Sequence, residues 1–153
     1  MTTLTQTAAA ALAALVLCGS ASASAAEAIG QIKTESGAVT IARGKATVAA
    51  HIGDRVFETD TLVTGKDGSV GITFADNSMM SLGPNSRLAL DQFHFNPTTH
   101  EGAFTASLKA GTLAVRSGDI VKETPEAMRI RTPAAVLGVR GTTFVVRANG
   151  GLL

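Results

Sequence analysis

The chain has 153 residues, 45% apolar and only 16% charged, with 13 basic against 12 acidic side chains and one cysteine. Such a composition fits one globular domain and is the reverse of a disordered chain, and a single cysteine excludes an internal disulfide framework. A formal charge of +1, with six Phe and neither Trp nor Tyr, argues against a nucleic-acid partner, which requires a clustered basic excess or aromatic stacking platforms.

In chain order, residues 2–26 carry no charged side chain, and within them Ala8 to Cys18 is an unbroken apolar run followed by small residues from Gly19 to Ala26. This is the layout of a secretory signal peptide over residues 1–26, with cleavage expected after Ala23, Ala25 or Ala26, although no Lys or Arg stands near Met1. A helix needs about 20 apolar residues to cross a bilayer core, so the run is too short to persist as an anchor, and no stable membrane insertion is expected. Bulky Leu17 disfavours lipidation at Cys18. Removal of the segment leaves residues 27–153 as a thiol-free domain that keeps every charged residue, suited to an oxidising periplasmic or secreted location.

From Gly30 onward apolar residues recur at every second position, the period of a strand. The runs are Val39 and Ile41; Val48, Ala50 and Ile52; Val70, Ile72 and Phe74; Leu88 and Leu90; Phe104, Ala106 and Leu108; Leu113 and Val115; Met128 and Ile130; Phe144 and Val146. Turn formers separate them, among them Arg43-Gly44-Lys45, Gly53-Asp54, Gly83-Pro84-Asn85 and Ser117-Gly118-Asp119. Asp67-Gly68 predicts a type I′ hairpin joining Thr61–Thr64 to Ser69–Phe74. The change of apolar phase between Leu90 and Phe93 predicts a bulge near Asp91-Gln92. No stretch holds helical periodicity. The expectation is a single compact all-β domain of short strands, arranged as a β-sandwich, a roll or an irregular β-solenoid.

No group of residues assembles recognisable chemistry. His51, His94 and His100 lack metal-ligand spacing, and His94 alternates with Phe93 and Phe95 as an outward polar position would. A Gly-x-Ser-x-Gly nucleophile motif is absent. Asp54, Asp60, Asp67 and Asp76 do not follow calcium-loop spacing, and Asp beside Gly is what turns require. Gly138-Val139-Arg140-Gly141 lacks the lysine and the strand-to-helix context of a phosphate loop, and reads as a tightly packed corner after Pro133. No catalytic residue, metal or cofactor is therefore expected.

The run Thr132-Pro133-Ala134-Ala135-Val136-Leu137-Gly138-Val139-Arg140-Gly141-Thr142, followed by Phe144 and Val146, resembles the closing signature of FecR-like domains. Gly37, Val39, Arg43 and Gly44 resemble the opening block of that family. Gly53-Asp54, Asp60, Leu62, Thr64-Gly65 and Asp67-Gly68-Ser69 resemble the second, and Phe74, Asp76-Asn77-Ser78, Leu82-Gly83, Asn85-Ser86 and Leu88 the third. The resemblance implies a β-rich, non-enzymatic, extracytoplasmic module that binds a receptor or membrane regulator of the cell envelope. Its motif positions, structural or binding, are Asp54, Asp60, Gly65, Asp67, Gly68, Asp76, Thr132, Pro133, Gly138, Arg140, Gly141 and Thr142.

Signalling members carry a cytoplasmic anti-sigma segment and a membrane helix where this sequence has its signal peptide, so only the extracytoplasmic binding role is implied. Relatives continue with further strands beyond the last motif. The implied end is therefore either shortened, leaving Thr143 to Arg147 as an open edge for partner or self-association, or a natural short form guarded by Arg147. A surface-assembly protein that self-associates through its β edges is the alternative reading. Arg140 is expected to form a partly buried pair with Asp54, Asp60 or Asp76.

Overall fold

A computed structural model describes residues 25–141 and 143–150; most of the predicted signal peptide, and Thr142, lie outside the described residues. The strands are β1 (Ala28–Ser36), β2 (Val39–Arg43), β3 (Ala46–Ala49), β4 (Arg55–Phe57), β5 (Thr61–Thr64), β6 (Ser69–Phe74), β7 (Met79–Leu82), β8 (Arg87–Phe95), β9 (Gly102–Arg116), β10 (Met128–Arg131), β11 (Val136–Gly138) and β12 (Thr143–Ala148). One turn of helix, α1 (Asp119–Glu123), interrupts them.

The strands form one curled sheet in the order β3-β2-β5-β8-β9-β7-β6-β1-β4, with β10 and β12 also on β9 and β11 on β10. The domain is all-β, and its pairings are antiparallel except for β9 with β10. A solenoid would stack parallel rungs, so the curled antiparallel sheet is nearest to the roll among the expected arrangements. β3 and β4 lie at opposite ends of the strand order, yet only residues 50–54 separate them in the chain, a reach of roughly 20 Å at most. The sheet must curl to let that connection close.

Period-two burial places the core on the inner face. Ile32, Ile41, Leu62, Ile72, Met80, Leu82, Leu88, Leu90, Phe104 and Leu113 are fully buried there. Phe104 packs edge-on against Phe74 and Phe93, with ring centroids 4.7 and 5.0 Å away, tying β9 to β6 and β8. The predicted bulge is present as a register shift between Leu90 and Gln92 in the β8–β9 pairing, and it turns half-buried Phe93 and Phe95 inward while His94 stays exposed.

β9 is the spine of the sheet. Its first half pairs with β8 and β10, its second with β7 and β12. The inward residues change from even-numbered Phe104, Ala106 and Leu108 to odd-numbered Leu113 and Val115 across Gly111. Gly111 has φ +92°, and a Cβ there would lie 2.0 Å from Ser86 Oγ and 2.4 Å from Ser86 Cα. Ser86 is buried and ties three elements together: its N–H donates to Thr64 Oγ1 at 2.9 Å, and its hydroxyl accepts the Thr112 N–H at 3.0 Å.

Two local expectations are corrected. β5 and β6 do not pair with each other; β5 lies between β2 and β8, and β6 between β1 and β7. Asp67-Gly68 is thus a crossover corner and not a hairpin, and neither residue has positive φ. Gly68 is needed for close approach instead, since a Cβ would lie 2.4 Å from the Ala38 carbonyl oxygen. The strand expected through Val48, Ala50 and Ile52 ends at Ala49, with Val48 and Ile52 exposed. Its apolar alternation yields to the turn that carries the chain from β3 to β4. In addition, α1 arises where only a turn was expected.

Gly111→Ala should cost about 3 kcal/mol or more in urea unfolding, because backbone strain adds to overpacking against Ser86. Gly44 also has positive φ but faces open space, so Gly44→Ala should cost only about 1 kcal/mol. Equal losses would show that the contact with Ser86 does not matter.

Candidate functional site

The motif positions before the closing signature separate into three local clusters. The first is built on Asp60, at the entry to β5 and fully buried. Arg43 grips its carboxylate with both arms, Nε to Oδ1 at 2.8 Å and Nη2 to Oδ2 at 2.7 Å, while the Phe57 N–H donates to Oδ2 at 2.9 Å. This fork holds the Arg43 pKa above its ordinary value, the hydrogen bond to Asp60 being the main cause, with a smaller contribution from the charge of Asp54. Arg43 also donates to the Arg55 carbonyl at 3.2 Å and lies 4.4 Å over the Phe57 ring. Asp54 itself caps its turn by accepting the His51 N–H at 2.8 Å.

The second cluster joins Gly65, Asp67 and Gly68 to the turn after β1. The Gly65 N–H donates to the Ala38 carbonyl at 2.8 Å, and Gly37, at φ +67°, faces the Asp67 backbone so closely that a Cβ would lie 2.3 Å from its carbonyl oxygen. Two corners of the sheet thus pack backbone to backbone. These positions hold two corners of the fold together, with Asp67 itself exposed.

The third is the Asp76 turn between β6 and β7. Asp76 is fully buried; Oδ1 accepts the Ser78 hydroxyl at 2.6 Å and the Ser78 N–H at 3.1 Å, while Oδ2 has no partner among the described residues. Burial pushes this carboxyl up from the ordinary range, opposed by the bonds from Ser78. The turn docks on the start of α1, where the Asp119 N–H donates to the Asp76 carbonyl at 2.7 Å and Asn77 donates to Asp119 at 2.7 Å. Gly118 is obligatory at this crossing, since a Cβ would lie 2.1 Å from the Asp76 carbonyl oxygen. A cleft of about 670 Å³ opens beside it, between Asn77, Arg116, Gly118, Lys122, Gly141 and Thr143.

The closing signature stands apart from all three acids. Thr132 and Pro133 turn the chain from β10 into β11, with the Thr132 N–H donating to the Ala135 carbonyl at 2.8 Å. From Pro133 to Gly138 every residue is exposed, Val136 to 63%, whereas Val139 is buried. The expected pairing of Arg140 with Asp54, Asp60 or Asp76 is therefore corrected. Arg140 is 74% exposed and pairs with Glu126, its Nε donating to Oε1 at 2.8 Å. The β10–β11 hairpin carries Arg140 outside the body of the sheet, and the Asp60 carboxylate is already held by Arg43. Among the described residues of the signature, Gly141 lines the same cleft as Asn77 of the Asp76 turn. Ser78 and Gly118 complete the Asp76 cluster and Arg43 the Asp60 cluster without having been singled out as site residues: Ser78 and Arg43 stood in the quoted family blocks and Gly118 in a turn, but the acid or backbone each one meets is not written in its residue type.

A family model described as FecR protein matches residues 60–152, more than half of the chain. The match takes in Asp60 and every later motif position but not Asp54 or the first four strands. No curated protein and no solved structure gives a significant match. Among the described residues no three His, Cys, Asp or Glu side chains come together as a metal site, and no helix is long and apolar enough to cross a membrane.

Arg43→Ala strands a buried carboxylate, and should cost about 3 kcal/mol, the lower end for such a charge because Arg43 itself is half exposed. Arg140→Ala breaks an exposed pair and should cost about 0–1 kcal/mol; denaturant midpoints of the two variants check the contrast. For Asp76, the folded chain keeps a proton that the unfolded chain has already released between the ordinary carboxylate pKa and the raised one. Stability should therefore fall as pH rises through that window. Asp76→Asn should remove this fall in thermal melts taken across the acid range, and an unaltered pH profile would contradict it.

Proposed function

The chain belongs to the FecR family, and from that we propose that it is an extracytoplasmic regulatory module that recognises another protein of the cell envelope. The FecR family is regulatory and non-enzymatic, and its domains lie outside the cytoplasm. The observation that carries the reading is the exposure of the closing signature. Residues that only held the fold together would be expected in the core, yet Val136 and Leu137 project from β11, a three-residue strand paired on one side only among the described residues. Exposed apolar residues on an open strand edge suit strand addition by a partner. The working protein, on this reading, is periplasmic or secreted, free of its signal peptide and without a cofactor.

Self-association is the second reading, favoured by β12. That strand pairs with β9 on one side, its other edge has no partner among the described residues, and Val145 is 66% exposed.

A photo-crosslinking residue at position 137, in the native envelope, should capture one discrete protein other than this chain, and the same probe at position 48, on the distant edge strand β3, should not. Capture of the chain by itself alone would favour self-association. In that case Val145→Lys should convert a concentration-dependent oligomer into a monomer in sedimentation velocity.

A further inference from the structure

Beyond the bulge in β8, the sheet leaves an edge open. β5 covers β8 only from Arg87 to Ala89, and among the described residues no strand covers the segment from Asp91 to Phe95 on that side. The backbone there is placed as in a strand awaiting a neighbour. The Phe93 N–H points away from β9 and donates to the carboxylate of Glu58 at 3.0 Å, whereas the Asn96 N–H turns back to the Glu101 carbonyl at 2.9 Å. Alternation along an antiparallel strand then directs the Phe93 carbonyl and the Phe95 N–H and carbonyl to the open side. Glu58 occupies the position where the carbonyl of an added strand would accept from Phe93.

The same edge borders a half-open cleft of about 450 Å³ whose apolar lining includes Ile29, Phe93, Phe95 and Pro97. Its floor is rigid, because Phe93 stacks into the Phe74–Phe104 aromatic cluster of the core. Its charged side chains are acidic: Glu27 and Glu58 line it beside His94, and no Lys or Arg side chain does; Glu58 is the acid on the sheet edge itself, whereas Glu27 lies at the start of the expected mature chain. Glu58 is presented by a constrained loop, with Thr59 held at φ +71°, an unfavourable conformation for a β-branched residue, by its N–H bond to the Leu90 carbonyl at 2.7 Å.

We propose that this edge binds an extended, basic segment of a partner protein by strand addition. The segment pairs its backbone with Phe93 to Phe95, seats an apolar side chain against Phe93, Phe95 and Ile29, and sets Lys or Arg side chains against Glu27 and Glu58. The inference rests on the binding-module reading and gives it a site and a partner chemistry. Glu58 acts as a placeholder that satisfies Phe93 until the segment arrives and then pairs with its positive charge.

The test is fluorescence anisotropy of the purified protein with a short labelled peptide of alternating lysine and valine. Saturable binding is expected, weakening as salt rises. Glu58→Lys should weaken it about tenfold or more, the scale of one lost charge pair. Glu58→Gln keeps an acceptor for Phe93 and should weaken binding through charge alone, with both variants melting as the parent does. The same peptide with glutamate for lysine should not bind, and N-methylation of alternate amides, which removes strand donors, should abolish binding. Equal binding of the acidic peptide, or indifference to both Glu58 variants and to N-methylation, would overturn the proposal. So would a dimer that Glu58→Lys dissolves in the absence of peptide binding, which assigns the cleft to a second copy. Capture of an envelope protein from position 137 alongside a failed peptide test leaves the binding-module reading intact and removes only this site. The converse pair of results retains the site and removes the envelope partner.

Discussion

Arg43 joins parts of the sheet that strand pairing leaves separate. β2 and β4 are far apart in the strand order, yet the guanidinium at the end of β2 reaches the Arg55 carbonyl on β4 and the buried Asp60 carboxylate at the entry to β5. Asp60 extends the connection, because its carbonyl accepts the Leu90 N–H at 2.9 Å and its own N–H returns to the Phe57 carbonyl. A carboxylate so deeply placed is tolerated only while it is paired and hydrogen-bonded. Curling the sheet brings the partners together, and the ion pair keeps the curl. The loop carrying Glu58, and with it the open edge of β8, is positioned by the same contacts.

The second constraint is the double role of β9. One strand can serve two differently oriented parts of a sheet only if its inward face changes partway along, and Gly111 makes that change possible by its left-handed backbone and its contact with Ser86. The bulge in β8 is the matching irregularity on the neighbouring strand. It carries Phe93 into the aromatic cluster and, among the described residues, leaves the end of β8 without a partner strand on its outer side. The irregularities that let this sheet curl therefore also produce its open edges, which are the features a binding module would use.

How the motif residues divide follows from the same geometry. Gly65, Asp67 and Gly68 bind two corners together, Asp60 anchors the seam, and Asp76 fixes the turn under α1; all are concerned with holding backbone segments at close range. The closing signature is different, since it lies on a short edge hairpin and faces solvent. Arg140 illustrates the limit of reading such a residue in isolation. A lone Arg between glycines suggested a buried pair, but the acid it meets is Glu126 in the neighbouring turn, and both are exposed.

Much of the fold was legible along the chain. Alternation marked β2, β6, β8, β9, β10 and β12, from Val39 and Ile41 to Phe144 and Val146, because side chains on a half-buried strand repeat every two residues whatever the strand pairs with, whereas β1 and β7, which carry the core residues Ile32 and Met80, showed no such run. The phase slip located the bulge for the same reason, and the spaced motifs carried the family. Pairing was not legible: Asp67-Gly68 read as a hairpin because a local turn signal contains no information about which sheet neighbour each flanking strand will take. Nor could the sequence reveal that Arg43 and Asp60 meet or that Glu58 covers Phe93, since those contacts exist only once the sheet has curled. The sequence by itself thus determined the all-β class, the inward face of the strands with a clear apolar alternation and family membership, all set by local periodicity and residue type. Which strands became neighbours, which acid each arginine found and which edges stayed open were decided by tertiary structure, because curling and burial place distant residues within hydrogen-bonding reach.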